Sequence, residues 1–220
     1  MPPPEPHEPP SHDPVAGDQH GTTASHALAG QLRASTRAAH HRIDHHPLLA
    51  PLVRADLDRT HYIHLLQAFA WIYQTLDPAF DEALQRLCPD AGYRSSERSA
   101  WLAEDLKVFS VANDKPSWQP PPIASSAELV GRLYAIEGST LGGQVIARQL
   151  ELSIGVGPQS GGRLFHGHGS ATPARWQAFM EFAGRACPAT DTAAACAAAN
   201  RMFEELAQQL EIWFEPSRQA

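Results

Sequence analysis

From Ser25 to Phe214 the large apolar residues recur at helical spacing, and no stretch alternates apolar with polar long enough to make a strand, so the chain is confined to helices packed on helices. Leu28, Leu32, Ala39 and Ile43 fall within about 60° of one another at 100° per residue, which predicts a first helix over about 26–44, stopped by Pro47. Asp58 is placed to cap a long second helix whose buried face is Tyr62, Leu65, Leu66, Phe69, Ile72, Tyr73 and Leu76. Asp77-Pro78 is expected to kink or break it, with Phe80, Leu84 and Leu87 continuing beyond. Ser96 to Phe109 reads as another helix. A loop rich in proline (Pro116, Pro120, Pro121, Pro122) then leads to Ser125-x-x-Glu128, a capping-box spacing that opens a helix to about Leu152. A glycine-rich loop runs to Gly169. Thr172-Pro173 supplies N-cap and first turn for a helix to about Ala186, and Asp191 starts a last one ending near Phe214. The expected architecture is all-α, a single-domain bundle of six to eight helices with no internal repeat.

The ends differ in character. Residues 1–24 hold seven prolines, three histidines and one large aliphatic residue, Val15, so they cannot bury enough surface to offset ordering. They are expected to form a disordered tail, followed by a helical domain over 25–215 and a short tail over 216–220; His7, His12 and His20 are poor candidates for a metal site. The net charge of −7 argues against nucleic acid as a partner, and four of those charges (Glu5, Glu8, Asp13, Asp18) sit in the tail. No run approaches the roughly 20 apolar residues of a membrane span, and the proline-rich start lacks the basic and apolar blocks of a secretory leader. A cytoplasmic location is therefore expected. Three cysteines, Cys88, Cys187 and Cys196, contain no C-x-x-C pair and are expected to be reduced thiols.

Two features point to chemistry. Gly138, Gly142 and Gly143 lie inside an amphipathic helix, each costing roughly 1 kcal/mol relative to Ala. Either tight helix packing or close approach of a flat ligand to the backbone accounts for them. The second is His40, at the rim of the first apolar stripe, with Arg33 two turns earlier on a neighbouring stripe, where it could neutralise an acidic ligand edge. An imidazole, a bare stretch of helix backbone and an Arg clamp together suit haem better than a small metabolite.

The segments that carry these residues resemble a known family. L-R-A-S-T-R-A-A-H-H-R-I-D (Leu32–Asp44) is similar to the proximal helix of haem oxygenases, and Y-A-I-E-G-S-T-L-G-G-Q-V-I-A-R-Q-L (Tyr134–Leu150) to their distal helix, with the closest likeness to the bacterial branch that accompanies bacteriophytochromes. The resemblance covers roughly Ala27 to Phe214. It implies the haem oxygenase fold and makes His40 the iron ligand, Asp44 the acid one turn on, and Arg33 a contact for one propionate. Gly138, Gly142 and Gly143 match the distal glycines, and Leu133 and Ile136 fall where relatives line the pocket. Ser139 stands where mammalian-type enzymes carry an Asp that organises water. His41 points about 100° away from His40 and competes poorly for iron.

The implied reaction uses haem as both cofactor and substrate, with O2, and yields biliverdin, CO and ferrous iron. No G-x-G-x-x-G fingerprint is present, so an external electron donor (ferredoxin, flavodoxin or a reductase) is implied, with bilin supplied to a bacteriophytochrome. Arg33 implies cleavage at the α-meso carbon; Arg148 and Arg175 are candidates for the second propionate. A non-catalytic haem carrier or sensor, and an oxygenase serving haem-iron acquisition, stay open as alternatives. A di-iron carboxylate site is disfavoured because Asp58-x-x-His61-x-x-His64 stands alone, and a cysteine nucleophile because no His or Glu neighbours the thiols in sequence.

Overall fold

The computed structural model describes residues 18–112 and 118–214. They form seven α-helices: α1 (Asp18–Asp44), α2 (Arg59–Leu87), α3 (Arg98–Val108), α4 (Ser126–Ile154), α5 (Arg163–His166), α6 (Thr172–Ala186) and α7 (Thr192–Phe214). Short 3-10 turns occupy Ala50–Val53, Gly169–Ala171 and Ala189–Asp191. No strand occurs among the described residues, and none of their helices is long and apolar enough to cross a membrane.

The caps show why the helices start where they do. Asp58 accepts a hydrogen bond from the His61 amide at 3.2 Å, and Ser125 accepts one from the Glu128 amide at 3.2 Å while the Glu128 carboxylate reaches back to the Ala124 amide at 3.0 Å. α4 ends on Gly155, whose φ of 67° is a left-handed conformation that a residue with a Cβ adopts only at a cost. Three boundaries depart from expectation. α1 begins at Asp18 rather than near 26, because the prolines that argued against helix end at Pro14. Of the tails expected at 1–24 and 216–220, residues 18–24 open α1 instead, while residues 1–17 with His7 and His12, the side chain of His20 and all of 216–220 lie outside the described residues. α2 runs unbroken through Pro78: both Pro78 and Gln74, whose carbonyl loses its donor there, are on the exposed side of the helix, where water can replace the missing bond. α6 takes Thr172 as its first residue, and Ala171 occupies the cap position without a side-chain bond.

α7 organises the bundle. Its alanine-rich half meets α4 so closely that a methyl at Gly131 would run into the Ala195 carbonyl oxygen, and the fully buried Arg132 donates a forked pair of bonds to Glu205 at 2.8 and 3.1 Å. Leu32, Leu65, Leu66, Ile72, Leu76, Phe80, Leu129, Val130, Phe179, Phe182 and Met202 fill the core.

The loop after α4 is pinned by one buried carboxylate. Asp105 on α3 accepts the Arg163 and Leu164 amides at 2.7 and 2.8 Å. Burial pushes its carboxyl up to about 6, more than those two donors and Arg163 pull it down. The folded chain therefore binds this proton more tightly than the unfolded one, whose Asp titrates near 3.9. The stability it confers is complete below about pH 4 and is lost as pH rises through about 6. Relative to Asp105→Asn, the native protein is expected to lose about 2 kcal/mol between pH 4 and pH 7. Urea unfolding at the two values checks it; a constant difference would contradict the assignment.

Candidate functional site

α6 and α7 each pack on both α1 and α4, whereas α1 and α4 make little contact with each other. Where the two come near, Thr36 and Arg33 of α1 act on the Tyr134 hydroxyl of α4, which burial nevertheless holds above the usual phenol range. Thr36 passes its own proton to the Leu32 carbonyl at 2.8 Å. The buried threonine thus marks where α1 and α4 come near, one turn before His40.

His40 is 57 % exposed, and its Nδ1 lies 2.8 Å from Asp44 Oδ2. That contact assigns the ring proton to Nδ1 and leaves Nε2 as a free lone pair. The ring also stands edge-on to Phe203 of α7, centroids 5.5 Å apart at 72°, which restricts its rotation. His41 goes elsewhere: it stacks on His45 at 4.2 Å, and His45 Nδ1 is 2.8 Å from the His41 carbonyl. Arg33 and Arg148 are exposed, while Arg175 donates to the Arg94 carbonyl at 3.2 Å.

The three glycines of α4 separate into different roles. A Cβ at Gly143 would stand 2.9 Å from the Phe165 carbonyl oxygen, so this glycine serves the contact with α5. At Gly138 it would lie 3.7 Å from the Trp176 ring, an ordinary contact. At Gly142 it would meet nothing within 4 Å. Packing does not require glycine there. Beside Gly142, Leu141 is 43 % and Val145 66 % exposed, so α4 presents apolar surface around a bare stretch of backbone. Leu133 and Ile136, expected along the pocket, are instead buried in the core. Ser139 donates its only proton to the Ile136 carbonyl at 2.7 Å, so its oxygen is left to accept.

Beneath the glycines lies a polar cluster that sequence reasoning missed. Glu137 accepts the Ser96 amide and hydroxyl at 2.9 and 2.7 Å and faces Arg98 at 3.6 Å. Burial alone would raise its carboxyl, but Arg98 and the Ser96 donors outweigh that and hold it below the usual carboxylate range. Tyr134 and Trp176, rings 5.7 Å apart, were missed too. Tyr134 lies four residues before Gly138, and that spacing could have flagged it; Trp176 and Phe203 come from α6 and α7, and their approach is a tertiary fact with no local signal.

These features define a class: a helical bundle whose first and fourth helices share neighbours but hardly touch, with one carboxylate-tied histidine on the first and exposed apolar residues around an uncrowded glycine on the fourth. The Heme oxygenase family model matches residues 26–211, so the chain belongs to the haem oxygenase family. A heme oxygenase of Xanthomonas campestris pv. campestris is 47% identical over 60 residues, which is 27% of this chain and 35% of that protein; the chain thus spans about a third of that curated relative. Among solved structures, the NO- and CO-bound heme oxygenase of Neisseria meningitidis superposes with a TM-score of 0.70 at 23% identity, covering 85% of this chain and 92% of that one. The heme oxygenase of Leptospira interrogans gives 0.68 at 17% identity over 84% and 98% of the two chains. That of Synechocystis, solved in complex with heme, gives 0.65 at 14% over 85% and 92%. These likenesses show the shared all-helical fold.

Proposed function

We propose that the chain is a haem oxygenase that holds haem between α1 and α4 and opens it at the α-meso carbon to biliverdin, CO and ferrous iron. The observation that carries this reading is His40, exposed, fixed by Asp44 through Nδ1 and propped by Phe203, with Nε2 free to bind iron. The residues present fit the group. A flat apolar macrocycle suits the surface of Leu141 and Val145 and the open space at Gly142, and an acidic edge suits Arg33 beside Tyr134. Bound haem supplies the iron that activates O2 and the carbon skeleton that is oxidised.

The chain's own residues orient and protect that chemistry. Asp44 fixes the ligating tautomer and raises the basicity of His40. Gly142 lets backbone approach the ligand without a side chain between, and Gly138 keeps the Trp176 side of the helix thin. Ser139 contributes an acceptor, to a water or a hydroxyl, and not a donor. Electrons come from an external donor, a ferredoxin, a flavodoxin or a reductase, and bilin supply to a bacteriophytochrome is the role we favour over iron acquisition.

Haem-loaded protein given reductant and air is expected to lose its Soret band and gain the broad absorption of a bilin; a carrier or sensor keeps the Soret band. Chromatography of the extracted pigment is expected to give predominantly the IXα isomer, with Arg33→Ala mixing isomers because one propionate anchor is gone. A predominantly β or δ product from the unaltered protein would contradict the Arg33 argument and favour haem-iron acquisition.

A further inference from the structure

The polar cluster under α4 is not used by the reaction described above. Glu137 immediately precedes Gly138, and its side chain is 7 % exposed; Arg98 is 2 % exposed, with its guanidinium 5.7 Å from the Tyr73 ring centre and 6.0 Å from that of Trp101. Arg98 Nη2 donates to the Ile136 carbonyl at 2.7 Å, the same oxygen that takes the Ser139 hydroxyl, and Thr140 donates to the Glu137 carbonyl at 2.6 Å. Both carbonyls ahead of Gly138 therefore carry an extra side-chain donor. Such donors weaken and bend the helix ladder, and glycines offer little resistance to bending. The cluster is anchored outside α4: Ser96 holds both carboxylate oxygens, and its Oγ lies 3.0 Å from His168 Nε2. Since the Ser96 proton is spent on Glu137, His168 is the donor in that contact.

A buried ion pair is a costly way to fill this space, and a well-packed apolar pair would stabilise the bundle as well or better. What an apolar pair cannot do is hold a particular carbonyl at a particular place. We infer that Arg98 and Glu137 are positioning residues, which tether the Ile136–Glu137 turn of α4 to the Ser96–Arg98 segment and so fix where the backbone of residues 138–143 stands against the ligand. The inference rests on the reading of α4 as a wall of the haem cleft. It supplies, from a separate buttress, the polar order that Ser139 alone does not give.

Hydrogen exchange of the ligand-free protein, read by mass spectrometry, tests it without turnover. Glu137→Gln keeps the shape but leaves Arg98 unbalanced, and exchange over residues 138–143 is expected to quicken at least about tenfold while the two ends of α4 change little. Arg98→Lys keeps the charge but loses the Nη2 bond to the Ile136 carbonyl, and serves equally if Glu137→Gln does not fold. In the loaded enzyme either variant is expected to lower kcat more than it raises KM and to admit minor bilin isomers. Exchange that is unchanged, or that quickens evenly across the bundle, overturns the inference and leaves the pair a structural filler. Should the unaltered protein fail to take up haem, the proposed function falls instead, and the exchange result stands as a statement about α4 alone.

Discussion

Haem added to a His40→Ala variant is expected to give no histidine-ligated spectrum, and turnover should fall more than about a hundredfold, the upper end of what altering even a ligand's supporting partner costs. The expectation follows from geometry. His40 has one nitrogen committed to Asp44 and a ring held against Phe203, whereas His41 is stacked on His45 and faces away. Added imidazole is expected to restore part of the spectrum by occupying the space left behind, and His41→Ala to change little. Asp44→Ala should fall between the two, losing about ten- to a hundredfold, because the ring would keep its place but not its tautomer. Full turnover by His40→Ala without imidazole would remove His40 from the reaction.

The second expectation sets Gly142 against Gly143. Gly142→Leu places a side chain where nothing stands within 4 Å, on an exposed turn of a helix that a leucine favours. Helical circular dichroism and melting temperature should therefore hold or rise, while haem affinity falls by at least about a hundredfold through steric exclusion. Gly143→Ala has the opposite signature: the added methyl lies 2.9 Å from the Phe165 carbonyl oxygen, and stability is expected to drop by about 1–3 kcal/mol. Gly142→Leu that unfolds the protein, or that binds haem normally, would show that packing alone explains this glycine as well.

That contrast marks how far sequence alone reaches. The helix order, the caps at Asp58 and Ser125 and the apolar faces are local or periodic, and they stand in the structure close to where they are expected. The glycines were visible as an anomaly, yet their separate roles depend on which helix crosses which, and nothing in the G-S-T-L-G-G-Q string distinguishes a residue facing Phe165 from one facing open space. Leu133 and Ile136 were placed by likeness to relatives and turn out to be core, because the side of α4 they occupy is covered by its neighbours. Arg98 and Glu137 lie 39 positions apart and read singly as ordinary surface charges. Only tertiary packing makes them a buried pair.

Phe203, Glu204 and Glu205 are consecutive, and each addresses a different target. Phe203 meets the His40 ring, Glu204 lies 3.6 Å from Arg42, and Glu205 takes the fork of Arg132. One residue inserted or deleted upstream within α7 would turn all three by about 100° and release α1 and α4 from their common reference at once. Drift in chain length among descendants of this protein is thus expected to spare α7, whatever happens to the identities of its exposed residues.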